Sequence, residues 1–231
     1  MSFPRGVSFP QEIRAVVFDM DGLLLDTETV YQAAMIEAGQ AFGIDFTAET
    51  YRSMVGKTKP ECMIMLRGLY GADFPAEAYF KRTWADVEII LEAEVRLKTG
   101  VMEILDYLDA LGIPRAIATS NSREAVDRYL GRFDLVRRFH AVVANADVTR
   151  HKPYPDPYLE AARRLNVHPT LCLALEDSHP GVRAAHAAGM MTIMVPDILD
   201  PNEEMHDKCV HIADSLHHVM DLLKASLEEA A

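Results

Sequence analysis

Along the chain, apolar residues gather in five short unbroken runs: AVVF at 15–18, AIAT at 116–119, AVVA at 141–144, LCLAL at 171–175 and MTIMV at 191–195. Each run ends in polar residues. A strand that is apolar at every position is buried on both faces, as in a parallel sheet, whereas strict alternation would mark one wet face. Stretches of helical character lie between the runs, at 100–111, 122–130, 155–165 and 181–188, and Gly112, Gly131 and Gly189 follow three of them. A glycine just past the last periodic residue stops a helix, because it takes the left-handed conformation without steric cost. From about residue 99 onwards strand and helix alternate. That pattern predicts βαβ units, hence an α/β fold with a doubly wound parallel sheet.

One interval breaks the rhythm. About 95 residues separate Phe18 from Ala116, where a βα connection ordinarily takes a few residues and one helix. The pattern inside is helical: Tyr31, Met35, Ala38 and Phe42 follow one another at spacings of one helical turn, and 76–97 is a second long helix-favouring run. The division expected is a core of residues 1–27 and 98–231 with a helical insertion at 28–97. The tail, 215–231, reads as a terminal helix.

Composition removes several classes of function. Of 231 residues, 35 are acidic and 23 basic, a net charge of -12, with 49% apolar and 25% charged residues. These proportions are those of an ordinary globular chain with a sizeable core. The acidic balance argues against nucleic-acid or anionic-membrane binding, both of which need a basic face. Cys62, Cys172 and Cys209 are odd in number and widely spaced, so they read as thiols in a reducing compartment rather than a disulfide or zinc framework. The segment SFPRGVSFPQE resembles neither a signal peptide nor an anchor, and no window reaches the ~18 apolar residues of a membrane span. The expectation is a cytoplasmic protein, monomeric or weakly dimeric.

In an open α/β sheet the ligand site lies beyond the carboxyl ends of the strands. The first run ends in Asp19-Met20-Asp21-Gly22, the second in Thr119-Ser120-Asn121-Ser122 and the fourth in Glu176-Asp177-Ser178, while Lys152 follows the third. Carboxylates crowded together raise one another's pKa unless a positive charge sits among them. Magnesium is the natural cation for such oxygen donors, and nothing soft is present for zinc or copper. The hydroxyls of Thr119 and Ser120, Asn121 and the amides opening the next helix suit a phosphate group, with Lys152 as a point charge. Asn121, three residues before Glu124, also reads as a helix cap.

The segments DMDGLLLDTE, ATSNS, HKPYPDPY and LEDSHPGVRAAHAAGM resemble, in order, the four motifs of the haloacid dehalogenase-like hydrolase superfamily. The likeness runs from Val16 to Pro196 and falls in the branch that carries its helical cap between the first and second motifs. It implies a Rossmann-like core and a phosphatase mechanism. Asp19 would attack phosphorus, and Asp21 would serve as acid and then base. Magnesium would be held by Asp19, Asp21 through its backbone carbonyl, and Asp177, with Glu176 assisting. Ser120 and Lys152 would hold the phosphoryl oxygens, Gly22 would let the backbone turn tightly, and the cap would close to exclude water.

Departures within the family narrow the chemistry implied. Dehalogenase and phosphonatase members lack the second aspartate of the first motif, so Asp21 argues against both. Mutases resembling β-phosphoglucomutase carry a histidine where this chain has Tyr31, which weakens the sugar-phosphate mutase alternative. FDMDGLLLDTE, MVGKTKPE and the fourth-motif segment look most like the branch holding pseudouridine-5'-phosphatase and 2-deoxyglucose-6-phosphate phosphatase. The expectation is a magnesium-dependent phosphatase of a small phosphomonoester such as a sugar phosphate or nucleoside monophosphate, with Tyr31, Gly56 and Lys57 as cap residues facing substrate. A non-catalytic phosphometabolite-binding protein on the same fold is the alternative from another class.

Overall fold

The computed structural model describes residues 9–229, so the first eight residues and the last two of the tail lie outside the described residues. In chain order the elements are β1 (Ala15–Phe18), α1 (Glu28–Ala41), α2 (Ala48–Met54), α3 (Lys59–Tyr70), α4 (Ala76–Glu94), α5 (Val101–Leu111), β2 (Arg115–Ala118) and α6 (Arg123–Gly131). There follow β3 (Ala141–Val143), α7 (Asp156–Leu165), β4 (Cys172–Glu176), α8 (His179–Ala187), β5 (Met191–Met194), α9 (Glu203–Lys208), β6 (His211–Ile212) and α10 (Leu216–Glu229). No helix among the described residues is long and apolar enough to cross a membrane.

The sheet has six strands in the order β3-β2-β1-β4-β5-β6, every pair parallel. The five apolar runs are its first five strands. β1 and β4 are neighbours in the sheet although residues 19–171 separate them in sequence, and here the strand order reverses direction. That is the switch point at which α/β sheets open a crevice. One side of the sheet is lined by small residues: Ala15, Ala116, Ala118 and Ala174 share a core with Ala161 and Ala162 of α7 and Ala184 and Ala185 of α8. Small side chains let the helices approach closely, and Tyr158, fully buried, is the one large aromatic residue of that layer.

Several boundaries differ from the sequence pattern. β2 opens at Arg115, whose side chain is buried and bonded to Asp109 and to the Arg138 carbonyl, and it releases Thr119 to the loop. The cap of α6 is Ser122, not Asn121: its hydroxyl accepts from Ala125 N at 3.2 Å. α8 starts at His179, two residues early, because Ser178 accepts from Gly181 N at 3.2 Å and Pro180 fits a first turn. α9 and the two-residue β6 were not legible, since each is too short to show a period.

The chain divides into two compact units, one running to Leu25 and resuming at Leu97, the other Asp26–Arg96. In the first, Leu25 and Leu97 form an antiparallel bridge and Lys98 N donates to Leu24 O at 3.0 Å. The second comprises α1–α4 around an aromatic cluster of Phe42, Phe46, Phe74 and Tyr79. Tyr79 is buried, and its hydroxyl donates to Met35 O at 2.6 Å, which satisfies the only polar atom of the ring.

Candidate active site

β1 ends at Phe18, and Asp19 N still donates to Leu175 O at 3.0 Å, so the first aspartate leaves the sheet at the level where β4 ends. The next residues fold into a tight loop, with the amides of Leu24 and Leu25 both donating to Met20 O. Gly22 has φ +76° there, and a Cβ on it would stand 2.3 Å from Asp177 Oδ2. Only glycine meets both conditions, the left-handed backbone and the close carboxylate.

Lys152 reaches this point from the loop before α7. Its Nζ donates to Asp19 Oδ1 and to Glu176 Oε1, both at 2.5 Å, and the three side chains are at most 10% exposed. Tyr158 donates its hydroxyl to the same Glu176 Oε1 at 2.5 Å, and Lys152 lies over the Tyr158 ring at 5.2 Å. Glu176 Oε2 accepts from Asp177 N, Ser178 N and the Ser178 hydroxyl at 3.0 to 3.2 Å. Five protein donors therefore converge on one buried carboxylate. This makes Glu176 the anchor of Lys152 and of the loop entering α8.

Asp21 is held from the other side of the crevice. Its Oδ2 accepts from the Asn121 amide at 2.6 Å and lies 3.5 Å from the Thr119 hydroxyl. Thr119 Oγ1 in turn accepts from Asn121 N at 3.1 Å. Thr119 and Asn121, expected at a phosphate, here fix the orientation of the second aspartate, while Ser120 stands exposed at the end of β2. Tyr31, Gly56 and Lys57 belong to the other unit: Tyr31 is half-buried in α1, Gly56 is exposed at φ +79°, and the exposed Lys57 donates to Ser53 O at 2.5 Å.

The electrostatics are unbalanced. Burial pushes Asp19 up to about 8, and Glu176 and Asp21 add to the rise against the pull of Lys152. Burial pulls Lys152 down, but the Asp19 and Glu176 carboxylates outweigh it, and the ammonium is held above its ordinary value. Tyr158 is pushed well above its ordinary value by burial and by Glu176, so its phenol stays a donor. Asp19, Glu176 and Asp177 each offer an oxygen, and these atoms lie within 4.8 Å of one another. One ammonium cannot neutralise three buried carboxylates with Asp21 beside them, so the residues fit a hard divalent cation bound through oxygen. Away from this site the cysteines are free thiols, and burial pushes Cys172 up to about 11.

A model of the family described as haloacid dehalogenase-like hydrolase matches residues 16–195. The chain is a haloacid dehalogenase-like hydrolase. It is accordingly an enzyme, a phosphoric monoester hydrolase. The phosphorylated carbohydrates phosphatase of Thermotoga maritima is 34% identical over 182 residues, 78% of this chain and 84% of that one. Hexitol phosphatase B of Escherichia coli is 31% identical over 195 residues, 82% and 86% of the two chains. The crystal structure of CbbY from Rhodobacter sphaeroides in complex with phosphate covers 90% of this chain and 96% of its own, with a TM-score of 0.71 and 29% identity. The family resemblance and the Rossmann-like α/β fold drawn from the motifs hold.

Two further residues of this hydrolase's site were given no role by the sequence pattern. Tyr158 belongs to a helix that also buries Pro157, Ala161 and Ala162, and Asp197 follows β5 in a Pro-Asp turn.

Proposed function

We propose that this hydrolase removes the phosphate from a small phosphorylated sugar or polyol with the help of magnesium, through a phosphate ester of Asp19. The observation that carries the reading is the pairing of Asp19 with Lys152 and Glu176 at the switch point, two residues before a second aspartate held separately by Asn121. The names of the Thermotoga maritima and Escherichia coli relatives support a sugar or polyol ester.

An Asp19 oxygen attacks phosphorus, the bond to the leaving alcohol breaks, and Asp21 gives that alcohol its proton. Water then attacks the aspartyl phosphate, Asp21 takes its proton, and inorganic phosphate leaves with Asp19 regenerated. Lys152 holds phosphoryl oxygens, and Glu176 holds Lys152. Asp19, Asp177 and the Asp21 carbonyl would bind the magnesium ion, with Glu176 in support; when bound, it supplies the positive charge that offsets charge on the transferring group. The reading gives this chemistry to the first unit and the choice of leaving group to the helical insertion, with Tyr31, Gly56 and Lys57 as candidates. Three free thiols suit a cytoplasmic setting.

The test is a phosphate-release screen across phosphorylated metabolites, with magnesium or chelator, run beside Asp19→Asn. Release from a sugar or polyol phosphate with kcat/KM at or above ~10⁴ M⁻¹s⁻¹, lost in the variant and in chelator, is the expected result. Turnover by Asp19→Asn within tenfold of the wild type sinks the covalent route. Isomerised product without free phosphate would reassign the chain as a mutase.

A further inference from the structure

A second carboxylate stands beside the cation ligands without belonging to the four motifs. Asp197, in the loop after β5, is 10% exposed in its side chain and pairs through Oδ1 with Lys98 Nζ at 2.7 Å. Its Oδ2 is buried and has no hydrogen-bond partner among the described residues. That oxygen lies 3.3 Å from the point where a Cβ on Gly22 would stand, and Asp177 Oδ2 lies 2.3 Å from the same point. Two carboxylate oxygens thus lie close to the same point beside Gly22, and Asp197 Oδ2 has no protein donor among the described residues.

A buried carboxylate oxygen left without a donor is costly, and the nearby Asp177 carboxylate repels it. Lys98 answers only Oδ1. What satisfies Asp197 Oδ2 beside that carboxylate is a hydrogen-bond donor carried by positive charge at Asp177, which is what a cation-bound water presents. A cavity of 260 Å³, lined by Gly22, Lys98, Thr99, Pro196 and Asp214 among others, adjoins the loop and gives water a place.

We infer that Asp197 is a positioning residue for the cation: its Oδ2 accepts a hydrogen bond from water bound to the ion held at Asp19 and Asp177. This rests on the magnesium reading above. Lys98 fixes Asp197 in place, so the segment that resumes at Leu97 takes part in building the site.

The test is direct metal binding, without turnover. Wild type, Asp197→Asn and Asp214→Asn are stripped of metal and titrated with Mg²⁺ by calorimetry and with Mn²⁺ by electron paramagnetic resonance. Asn keeps an oxygen for Lys98 and turns its amide, a donor, toward Asp177, so metal affinity should fall about tenfold. Asp214→Asn removes the same charge from the same cavity at a 97% exposed side chain and should stay within twofold. Saturating magnesium should restore the kcat of Asp197→Asn to near wild type. Asp197→Ala, which also lacks the acceptor, should show the same loss and guards against misfolding of one variant. Equal affinity in the wild type and Asp197→Asn, or an equal loss in Asp214→Asn, overturns the inference while leaving the magnesium reading intact. No metal binding by the wild type overturns both.

Discussion

Replacing Gly181 by alanine adds one carbon and removes no functional group, and by helix propensity alone it should stabilise α8 by up to about 1 kcal/mol. The structure reverses the sign. A Cβ at this position would stand 1.8 Å from Glu176 Oε1 and 1.9 Å from the carboxylate carbon. An exposed glutamate would swing aside, but Glu176 is fully buried and held by Lys152, Tyr158, Asp177 N and both donors of Ser178. Displacing its carboxylate breaks at least the Lys152 and Tyr158 bonds. Bonds to a charged group net about 1.5–3 kcal/mol each, so two cost about 3–6 kcal/mol. Less the propensity gain, the loss is about 2–5 kcal/mol, and at about 2–4 °C per kcal/mol for a chain of this size Tm should fall by about 4–20 °C. Phosphate release should drop more than tenfold, because Lys152 loses one of its two anchors. Thermal unfolding followed by circular dichroism, beside a phosphate-release assay, reads both. An alanine variant as stable as the wild type would show that the carboxylate relaxes freely, and the reasoning about Glu176 would be wrong.

Tyr158→Phe removes only the hydroxyl that donates to Glu176, and we expect kcat to fall about threefold to tenfold with KM within twofold and a loss of about 1–2 kcal/mol in stability; unchanged kcat would count against the network. Asp21→Asn should slow hydrolysis of alkyl phosphates far more than of nitrophenyl phosphate, whose leaving group hardly needs a proton, and equal losses on both would refute the acid role. In chelator, stability should depend on Asp19: its carboxyl is raised from 3.8 to about 8, so the stability it contributes is complete below about pH 4 and lost as the pH rises through about 8. Tm of the wild type should therefore fall relative to Asp19→Asn across that window. Excess magnesium should remove the difference, and parallel Tm curves in chelator would refute the burial argument.

The order of chemistry along the chain was legible because it is carried by local patterns. Residues buried on both faces must be apolar without alternation, so Ala15–Phe18 and Met191–Met194 announced themselves as strands. Asp19 and Asp177 follow such runs directly, and a polar group just past a parallel strand has few places to go but the crevice, whereas Lys152 comes nine residues after β3. The long interval after Phe18 announced an insertion because no βα connection is that long.

What the one-dimensional pattern could not carry is which atoms share a partner. Asn121 was legible as a polar residue at a helix start, yet its amide bonds Asp21, about 100 residues earlier in the chain, and Ser122 caps the helix instead. Glu176 read as one acid among several, and only the convergence of β4, α7 and the Lys152 loop brings five protein donors onto its carboxylate. Tyr158 and Gly181 lie inside segments that read as motifs, yet nothing in the sequence gave either a role of its own, and the same is true of Asp197 after β5. Periodicity reports whether a residue faces a core, a property of one segment, whereas a buried polar network is fixed by the register of separate strands and by the depth at which small alanine side chains let the helices sit.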